Sequence, residues 1–403
     1  MNAAGFALPG RRPDEALTLR QRVTVCYPFA GDAIGGSHFS VRGLLSDLDP
    51  ERYRVLVVPE VPGGKIAEHF ADFELLTDPA GATVPFVPGE KFNPSKFVSA
   101  LAGLSKRARF LRRHDVDIVH SNDGRTHATW SLAARLAGAR LVWHHRADPD
   151  ALGLNLLAPL VASKVLTVST FSLPKARFWS AANKAEVVFS PFDTDIEVDR
   201  TAARRKILES AGVPDEALLL GIFGNFVPRK RPLLFVDMIA ELRSRLDRPI
   251  FGLMFGKANV PEMDRRLRDH IAHREMQDAV RLMGFRSPGH EWIAGCDQLI
   301  VPAVGEPLGR TLVEAMLVGT PVIATRSGGN GEALAGDTGV LVEPKSAAAL
   351  ADGVERLVAE PRAAQEMVKR ARISARQRFG RKRHAVSVMR VYDELLGRQP
   401  ALV

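Results

Sequence analysis

Short apolar runs recur along the chain and alternate with longer amphipathic stretches. Such runs, bounded by glycine, proline or charged residues, predict buried strands, whereas the amphipathic stretches predict helices. Regular alternation of the two is typical of parallel α/β sheets, so this is the fold class that we expect. The predicted strands are 22–29, 53–59, 117–122, 140–145, 164–169, 185–191, 218–223, 250–255, 280–284, 298–302, 322–325 and 340–342.

One of the predicted helices has an unusual charge pattern. In the helix at 97–113, lysine and arginine side chains follow one another without any acidic residue between them. A basic amphipathic helix suits an anionic membrane surface, and it also suits a solvated helix that covers a parallel sheet. The other predicted helices lie near 38–48, 125–137, 201–211, 287–295 and 361–396.

The length of the chain predicts two domains. Its 403 residues exceed what one ordinary hydrophobic core supports. Residues 191–200 are rich in charged and turn-forming residues, which are typical of a linker, so we place the domain boundary there. Residues 1–20 mix small and charged residues, and we expect them to form a poorly ordered leader without the apolar core of a signal peptide.

The composition favours a protein of the cytoplasm. Hydrophobic residues make up 46% and charged residues 25% of the chain, as in soluble globular proteins. No apolar run approaches the ~18 residues of a membrane span. The two cysteines, Cys26 and Cys296, are far apart in sequence, which favours a reducing compartment and argues against disulfides or a zinc site.

The formal net charge of +9 calls for an anionic partner. Basic proteins bind nucleic acid, anionic lipid headgroups or phosphorylated substrates, and composition does not choose among them. A nucleic-acid site would need aromatic side chains interleaved with the cations, yet the chain has only three tyrosines and four tryptophans. We therefore expect no nucleic-acid partner and keep an anionic membrane surface as a possible one.

The chain is organised around residues 301–332, where a strand, a loop, a helix, a second strand and a Gly-Gly loop follow in order. Glu306 lies in the loop, and Glu314 lies about one and a half turns into the helix. Between them, the helix start offers unpaired backbone N–H groups that suit an anion. A nucleotide sugar has the matching layout of a ribose diol, a diphosphate and a hexose.

This stretch resembles the signature of retaining glycosyltransferases of the family 4 type, which have the GT-B fold. The match comprises Glu306, Glu314 with Ala315-Met316, the strand in 319–325, and Gly328-Gly329. The resemblance implies two Rossmann-like doubly wound parallel-sheet domains that face a cleft, with a C-terminal helix that crosses back to the first. It assigns 21–193 to an acceptor-binding domain, 194–380 to a nucleotide-sugar domain and 381–403 to the crossing helix.

The resemblance also implies roles for residues of this stretch. In the family, the first glutamate lies beside the donor sugar and the second accepts the ribose hydroxyls, which gives these roles to Glu306 and Glu314. The helix start would contact the donor through the backbone amides of Leu308, Gly309 and Arg310, and through Thr311.

A second element of the family follows strand 218–223. There the loop that begins at Gly224 resembles the family's cationic diphosphate element, in which Lys230 matches the lysine. The family's arginine is replaced by Asn225, and the loss of a cation beside a leaving diphosphate should lower activity. The cations that could compensate for it are Arg229, Arg231 and Arg310.

Glycine loops and histidines complete the predicted site. Histidines end two strands at the edge where open parallel sheets bind ligands, and His145 best fits the family's position beside the donor sugar. A neutral imidazole there could donate to a sugar hydroxyl or orient the leaving phosphate. The neighbouring candidates are His144 and His120. The resemblance also implies that Gly35 and Gly36, which we assign to the donor site, face the donor diphosphate or the acceptor, and that Gly284 and Phe285 lie by the base.

The implied reaction moves a sugar, with retention, from a UDP- or GDP-linked donor to a hydroxyl of a glycan or lipid-linked acceptor. We expect it in cell-surface polysaccharide synthesis, in the cytoplasm or peripherally on the inner membrane face, with Glu306, His145 and Lys230 catalytic. Asp-x-Asp, the metal-binding pattern of the other main glycosyltransferase fold, occurs four times, but never in the required strand-end context. We therefore expect no cofactor and no essential metal.

Other functions remain open at this point. A nucleotide-sugar epimerase or a sugar phosphorylase can share the GT-B fold, although the chain has no motif for ring acid–base chemistry or for a pyridoxal lysine. A scaffold that has lost activity would explain Asn225, whereas the presence of both glutamates argues against it. The family's Asn-Gly before the domain crossover is also missing, since residues 190–193 read Ser-Pro-Phe-Asp.

Overall fold

The computed structural model describes residues 22–81 and 101–399, and for Leu101 it describes the backbone alone. The predicted leader at 1–20 lies outside these ranges. The same is true of residues 97–100, where the predicted basic helix was expected to begin.

The first sheet is parallel and has seven strands in the order β3-β2-β1-β4-β5-β6-β7. Strand β1 lies inside the sheet between β2 and β4, and all its side chains are buried, as expected for a strand covered on both faces. It pairs with β2 so that Val23 lies opposite Tyr53. The strands are β1 Val23–Phe29, β2 Tyr53–Pro59, β3 Glu74–Leu75, β4 Ile118–Ser121, β5 Arg140–His145, β6 Lys164–Thr167 and β7 Ala185–Val187.

Helices connect most of these parallel strands, as βαβ units do. They are α1 Gly36–Leu45, α2 Lys65–His69, α3 Leu104–Arg113, α4 Gly124–Ala137 and α5 Ala158–Val161. A π-helical segment, Gly153–Leu157, leads into α5, and short 3₁₀ turns are found at Leu101–Gly103, Thr170–Ser172 and Ala182–Lys184. Local sequence fixes some of the boundaries, because the Asp123 carboxylate caps the first amides of α4 and the left-handed Gly138 ends that helix.

The second sheet has six parallel strands in the order β10-β9-β8-β11-β12-β13. They are β8 Leu218–Phe223, β9 Ile250–Phe255, β10 Val280–Gly284, β11 Gln298–Val301, β12 Val322–Thr325 and β13 Val340–Val342. The helices of this part are α6 Arg200–Ala211, α7 Pro232–Arg243, α8 Pro261–His273, α9 Gly289–Gly295, α10 Arg310–Val318, α11 Asn330–Ala333, α12 Ala347–Ala359, α13 Pro361–Phe379 and α14 Arg381–Leu396, with a 3₁₀ turn at Pro228–Lys230.

Two hydrophobic clusters cover the two faces of this sheet. Leu219 and Leu299 belong to one cluster, whereas their chain neighbours Leu220 and Ile300 belong to the other. This alternation follows from the two-residue period of a strand, and it explains why the strands are apolar throughout.

Contacts divide the described residues into two compact units. One holds 22–34, 47–81, 101–143 and 161–163, and the other holds 35–46, 144–160 and 164–399. The predicted domain boundaries remain a prediction. Within the described ranges, no helix is both long enough and apolar enough to cross a membrane.

The predicted strands are present, and most of their ends agree within two residues. The strand predicted at 185–191 ends at Val187, because Phe189 and Ser190 leave the ladder to bond elsewhere. The Phe189 carbonyl accepts from His384 Nδ1 at 2.6 Å, and Ser190 Oγ accepts from Arg146 Nη1 at 3.0 Å. Strand β3 was not predicted, since it is only two residues long.

The helix predicted at 361–396 is in fact two helices. Gly380 separates α13 from α14 with an extended backbone, at φ −65° and ψ 145°. The carbonyl of Phe379 accepts from the backbone N–H of Phe192 at 2.8 Å instead of continuing the helical ladder. The basic helix predicted at 97–113 is helical over α3, and in α3 the Arg107 side chain is buried rather than solvated.

Arg107 forms a buried ion pair with Asp78 in the first unit. Its Nη2 lies 2.8 Å from Asp78 Oδ2, with side-chain exposures of 1% and 3%. We expect Asp78→Asn to lower the free energy of unfolding by about 3–5 kcal/mol, because it leaves the guanidinium buried without its counter-ion. Urea unfolding followed by tryptophan fluorescence measures this, since Trp130 and Trp143 are buried in the same unit.

The matched control is the exposed pair Arg54–Glu74, whose side chains are 39% and 43% exposed. Here Glu74→Gln should cost less than about 1 kcal/mol, because solvent screens an exposed pair. Equal losses in the two variants would contradict the structural role of the buried pair.

Candidate functional site

Glu306 is a buried carboxylate held by two cations. It lies in the loop between β11 and α10 and is 6% exposed. Its Oε2 is 2.6 Å from Arg229 Nη1 and 2.8 Å from Lys230 Nζ. Burial alone would raise the pKa of Glu306, but the charges of Lys230 and Arg229 outweigh burial and hold this pKa below its ordinary value.

The order of the strands brings these three side chains together. Arg229 and Lys230 belong to the 3₁₀ turn that follows β8, and β8 pairs with β11. The carboxyl ends of neighbouring parallel strands lie at the same edge of the sheet, so their loops meet there. A further bond ties the two loops, because the Val304 N–H donates to the Arg229 carbonyl at 2.9 Å.

The Gly-Gly loop after β12 fixes the backbone of Glu306. The Gly329 N–H donates to the Glu306 carbonyl at 2.7 Å. Gly328 has a left-handed φ of +64°, and a Cβ there would lie 2.4 Å from the Glu306 carbonyl oxygen. Only glycine fits at this position, for reasons of both conformation and space.

Gly224 adjoins the side chain of Lys230. It follows β8 with a φ of +119°, and a Cβ there would lie 3.8 Å from Lys230 Cε. The next residue, Asn225, is exposed. The Lys230 side chain thus lies beside Gly224 and reaches Glu306.

The three cations proposed to compensate for Asn225 lie in different places. Arg229 contacts Glu306, whereas Arg310 Nη2 lies 3.9 Å from Glu314 Oε1. Arg231 lines another cavity, which it shares with Arg266 and Lys345. Of the three, Arg229 is therefore the one placed beside Glu306.

Glu314 is the second acidic group of the site. It is the fifth residue of α10, and burial raises its pKa, an effect that the Arg310 charge offsets in part. A Cβ on Gly289, the first residue of α9, would lie 3.8 Å from Glu314 Oε2. The Arg310 guanidinium lies 4.3 Å over the ring of Phe192, and burial lowers its pKa.

The start of α10 offers backbone donors between the two glutamates. Gly309 is the N-cap residue, and among the described residues no side chain caps this turn. Leu308 is buried behind the turn, and Arg310 and Thr311 begin the helix. Uncapped first-turn amides at the positive end of a helix favour an anion, so the loop and the helix together can bind a phosphate group.

The histidines predicted for the site make local contacts. His145 ends β5, is buried, and donates from Nε2 to the Asp148 carbonyl at 2.8 Å. Burial holds the pKa of His145 below its ordinary value, so the ring is neutral near pH 7 with this N–H already engaged. His144 Nδ1 accepts from Arg146 at 3.2 Å, and the ring of His120 stacks on that of Tyr27.

The remaining predicted donor residues lie in loops. Gly35 is the N-cap of α1, and Gly36 is its first residue. Gly284 ends β10 with a left-handed φ of +69°, and the following Phe285 is 67% exposed. The role of these four residues in donor binding stays a prediction.

Sequence reasoning did not single out two residues that support the site. Ser327 Oγ accepts from the Gly305 N–H at 3.0 Å, and the buried Asn330 donates from Nδ2 to the Thr325 carbonyl at 3.1 Å. Both residues flank the Gly-Gly loop, and that position was the signal by which the sequence could have identified them.

In the part of the chain that the structure describes, no group of three or more His, Cys, Asp or Glu side chains could hold a metal ion.

Comparison with known proteins gives matches along the chain. Residues 203–374 match the family model described as glycosyl transferases group 1. A D-inositol 3-phosphate glycosyltransferase of Stackebrandtia nassauensis is 34% identical over 194 residues, which are 44% of this chain and 42% of that protein. An N-acetyl-alpha-D-glucosaminyl L-malate synthase of Bacillus anthracis is 27% identical over 309 residues, or 73% of this chain and 79% of that protein.

The chain spans about half the length of the inositol-phosphate relatives it matches first. Among solved structures, Anabaena HepE in complex with UDP and glucose has a TM-score of 0.75 at 20% identity, covering 92% of this chain and 99% of that one. Sucrose-phosphate synthase from Thermosynechococcus elongatus has a TM-score of 0.73 at 18% identity, covering 93% and 100%. These likenesses confirm the predicted fold class of two Rossmann-like parallel-sheet domains.

Replacing Lys230 tests the electrostatics of this cluster. The ionised Glu306 contributes stability that is complete above the ordinary carboxylate pKa and is lost as the pH falls through its lowered pKa. We expect Lys230→Gln to raise that pKa, to move the acid loss of stability to higher pH, and to cost about 1–3 kcal/mol at pH 7. Melting temperatures across the acid range measure both effects.

Lys257→Gln is the matched control, since this exposed lysine follows the neighbouring strand β9. Its melting profile should coincide with that of the wild type. Identical profiles for Lys230→Gln and the wild type would mean that Lys230 does not hold the Glu306 charge in solution.

Proposed function

We propose that this chain is a GT-B glycosyltransferase, which transfers a sugar from a nucleotide diphosphate sugar to an acceptor hydroxyl. The observation that carries the proposal is the cluster of Glu306 with Lys230 and Arg229 beside the uncapped start of α10. It combines cations for a leaving group with a carboxylate for the sugar.

The charge balance of the cluster favours a bound diphosphate. Two cations face one carboxylate, which leaves one positive charge next to the positive end of a helix. Developing negative charge on the leaving diphosphate is what such a site must stabilise. In this proposal Arg229 supplies the cation that the family pattern places at Asn225.

Glu314 is proposed to bind the ribose. Its pKa is raised because the half-buried carboxylate loses hydration, which the cation 3.9 Å away offsets in part. Two ribose hydroxyls that donate to this carboxylate would stabilise its ionised form. The Gly284-Phe285 loop is proposed to lie beside the base.

The proposed mechanism retains the anomeric configuration without a covalent enzyme intermediate or a metal. The bond between the anomeric carbon and the diphosphate oxygen breaks, and the acceptor oxygen bonds to the same face of the sugar. The leaving phosphate takes the proton of the acceptor hydroxyl. Glu306 stabilises the positive sugar, Lys230 and Arg229 stabilise the diphosphate, and His145 is proposed to contact the sugar hydroxyls.

We propose UDP as the nucleotide, because the structurally similar Anabaena protein was crystallised with UDP and with UDP-glucose. For the acceptor we propose a glycan or lipid-linked hydroxyl in cell-surface polysaccharide synthesis at the cytoplasmic face of a membrane. The names of the matched relatives favour a second class, a small anionic acceptor such as an inositol phosphate or malate. Both classes belong in the acceptor screen.

The first test is a thermal-shift panel of UDP, GDP and ADP and their glucose-linked forms, with and without EDTA. Ligand that binds the folded state raises the melting temperature. We expect UDP and UDP-glucose to give the largest shifts and EDTA to leave them unchanged. The absence of a shift with every nucleotide would contradict the proposal, and nucleotide binding without turnover on any acceptor would favour the inactive scaffold.

In the same panel, Arg229→Ala should weaken UDP binding by about tenfold or more, since a charged hydrogen bond is lost. Arg231→Ala is its matched control, because Arg231 lines the cavity with Arg266 and Lys345. Equal weakening in the two variants would remove Arg229 from its proposed role.

The pH dependence of UDP-glucose binding tests Glu314. If the donor binds the ionised carboxylate, affinity should fall as the pH drops through the raised pKa of free Glu314. Glu314→Gln should bind at least about tenfold more weakly at pH 7 and should remove this pH dependence. Isothermal calorimetry measures both, and an unchanged pH profile in Glu314→Gln would contradict the assignment.

A further inference from the structure

Five large apolar side chains are exposed on one part of the second unit, and we call them the apolar patch. Phe178 is fully exposed, and the exposures of the other four lie between 52% and 59%. Large apolar surface left in water is a mark of an interaction site. The apolar patch consists of Leu152, Leu156, Leu160, Phe178 and Trp179.

The three leucines lie on one side of a helical segment whose opposite side is already buried. They are spaced four residues apart along Gly153–Leu157 and α5, so they share a face. Between them, Leu154 and Ala158 are fully buried. A helix that packs on a protein core and otherwise faces water carries polar residues on its outer side, and this segment does not.

Polar contacts fix the loop with Phe178 and Trp179 next to this segment. Lys175 Nζ lies 2.8 Å from Asp150 Oδ1, and Lys184 Nζ donates to the Pro159 carbonyl at 3.0 Å. These two lysines flank the aromatic pair in sequence and contact both ends of the leucine segment. These contacts hold both flanks of the aromatic loop beside the leucine segment.

The charges around the apolar patch indicate what covers it. Lys175 and Arg177 precede the aromatic pair and are exposed. Tryptophan is enriched where membrane and water meet, and basic side chains beside it are attracted to anionic headgroups. Helix α3 differs, because its exposed face carries cations but none of the large exposed apolar side chains.

We propose that the apolar patch inserts into the headgroup region of an anionic lipid bilayer. The leucines and the aromatic pair enter the boundary between headgroups and acyl chains, while Arg177 contacts lipid phosphates and Lys175 stays beside its exposed partner Asp150. This proposal rests on the proposed function, because a lipid-linked acceptor is what gives membrane binding a purpose. Vesicle binding itself is measured without any nucleotide.

Trp179 is a native probe for this insertion. The chain has four tryptophans, and the other three, Trp130, Trp143 and Trp292, are at most 6% exposed. With vesicles of phosphatidylglycerol and phosphatidylcholine, the emission of the full chain should shift to the blue, and lipids brominated on their acyl chains should quench it. Vesicles of phosphatidylcholine alone should bind far less, and so should anionic vesicles in high salt.

Co-sedimentation with the same vesicles quantifies the contribution of single side chains. Phe178→Ser and Leu156→Gln should each lower the partition coefficient by about tenfold, which is the effect of one large apolar side chain. Leu136→Gln is the matched control, because Leu136 is 55% exposed and lies outside the patch. Its partition coefficient should equal that of the wild type.

Several outcomes would overturn the proposal. These are no binding to anionic vesicles, an equal loss in Leu136→Gln, or Trp emission unchanged on binding. A dimer in analytical ultracentrifugation that Phe178→Ser dissociates would make a second copy of this chain the occupant instead. The UDP-glucose thermal shift of each variant separates the two proposals, since it tests the donor site and is expected to be unchanged by these substitutions.

Discussion

The candidate site depends on one electrostatic arrangement, the buried Glu306 carboxylate between Lys230 and Arg229. An ionised carboxylate is stable in such a place only when cations compensate for its lost hydration. The surrounding structure is arranged to keep the three side chains together. Strand order brings the two loops to one edge of the sheet, and the Gly-Gly loop fixes the Glu306 backbone.

The elements of the fold could be predicted from local sequence, because each strand is a short apolar run and turn residues mark its ends. The predicted bounds of β2, β5, β8 and β9 are those of the structure. The apolar pattern alone does not reveal the break at Gly380, although the resemblance placed the start of the crossing helix at 381. The helical pattern continues across Gly380, and the competing bond comes from Phe192, which is distant in sequence. A strong apolar pattern thus predicts that a helix or strand is present better than it predicts where a helix is interrupted.

For the site, the sequence pointed to the two glutamates through a motif with fixed spacing and to Lys230 through the loop after β8, and their roles in binding stay predictions. It left open which cation stands beside Glu306, since that depends on how the side chain of Arg229 packs after β8. The sequence also could not predict the contributions of Ser327 and Asn330. These arise from hydrogen bonds to residues that come close only in the folded chain.

The strongly basic composition has internal as well as external uses. Arg107 is buried with Asp78, and Arg200 donates to Thr320 Oγ1 and to a main-chain carbonyl. Such arginines stabilise packing and are not available to an anionic partner. The net charge of +9 is therefore a poor measure of how many cations the surface offers to an anionic partner.

The contact of Glu306 with both cations also bears on how a reaction cycle at this site would end. A nucleotide diphosphate left behind after sugar transfer would have to compete with Glu306 for Lys230 and Arg229. The carboxylate of the proposed enzyme would thus be an internal competitor that lowers the affinity for the spent nucleotide. In the proposed enzyme, the group that steadies the sugar during transfer would also hasten release of the product.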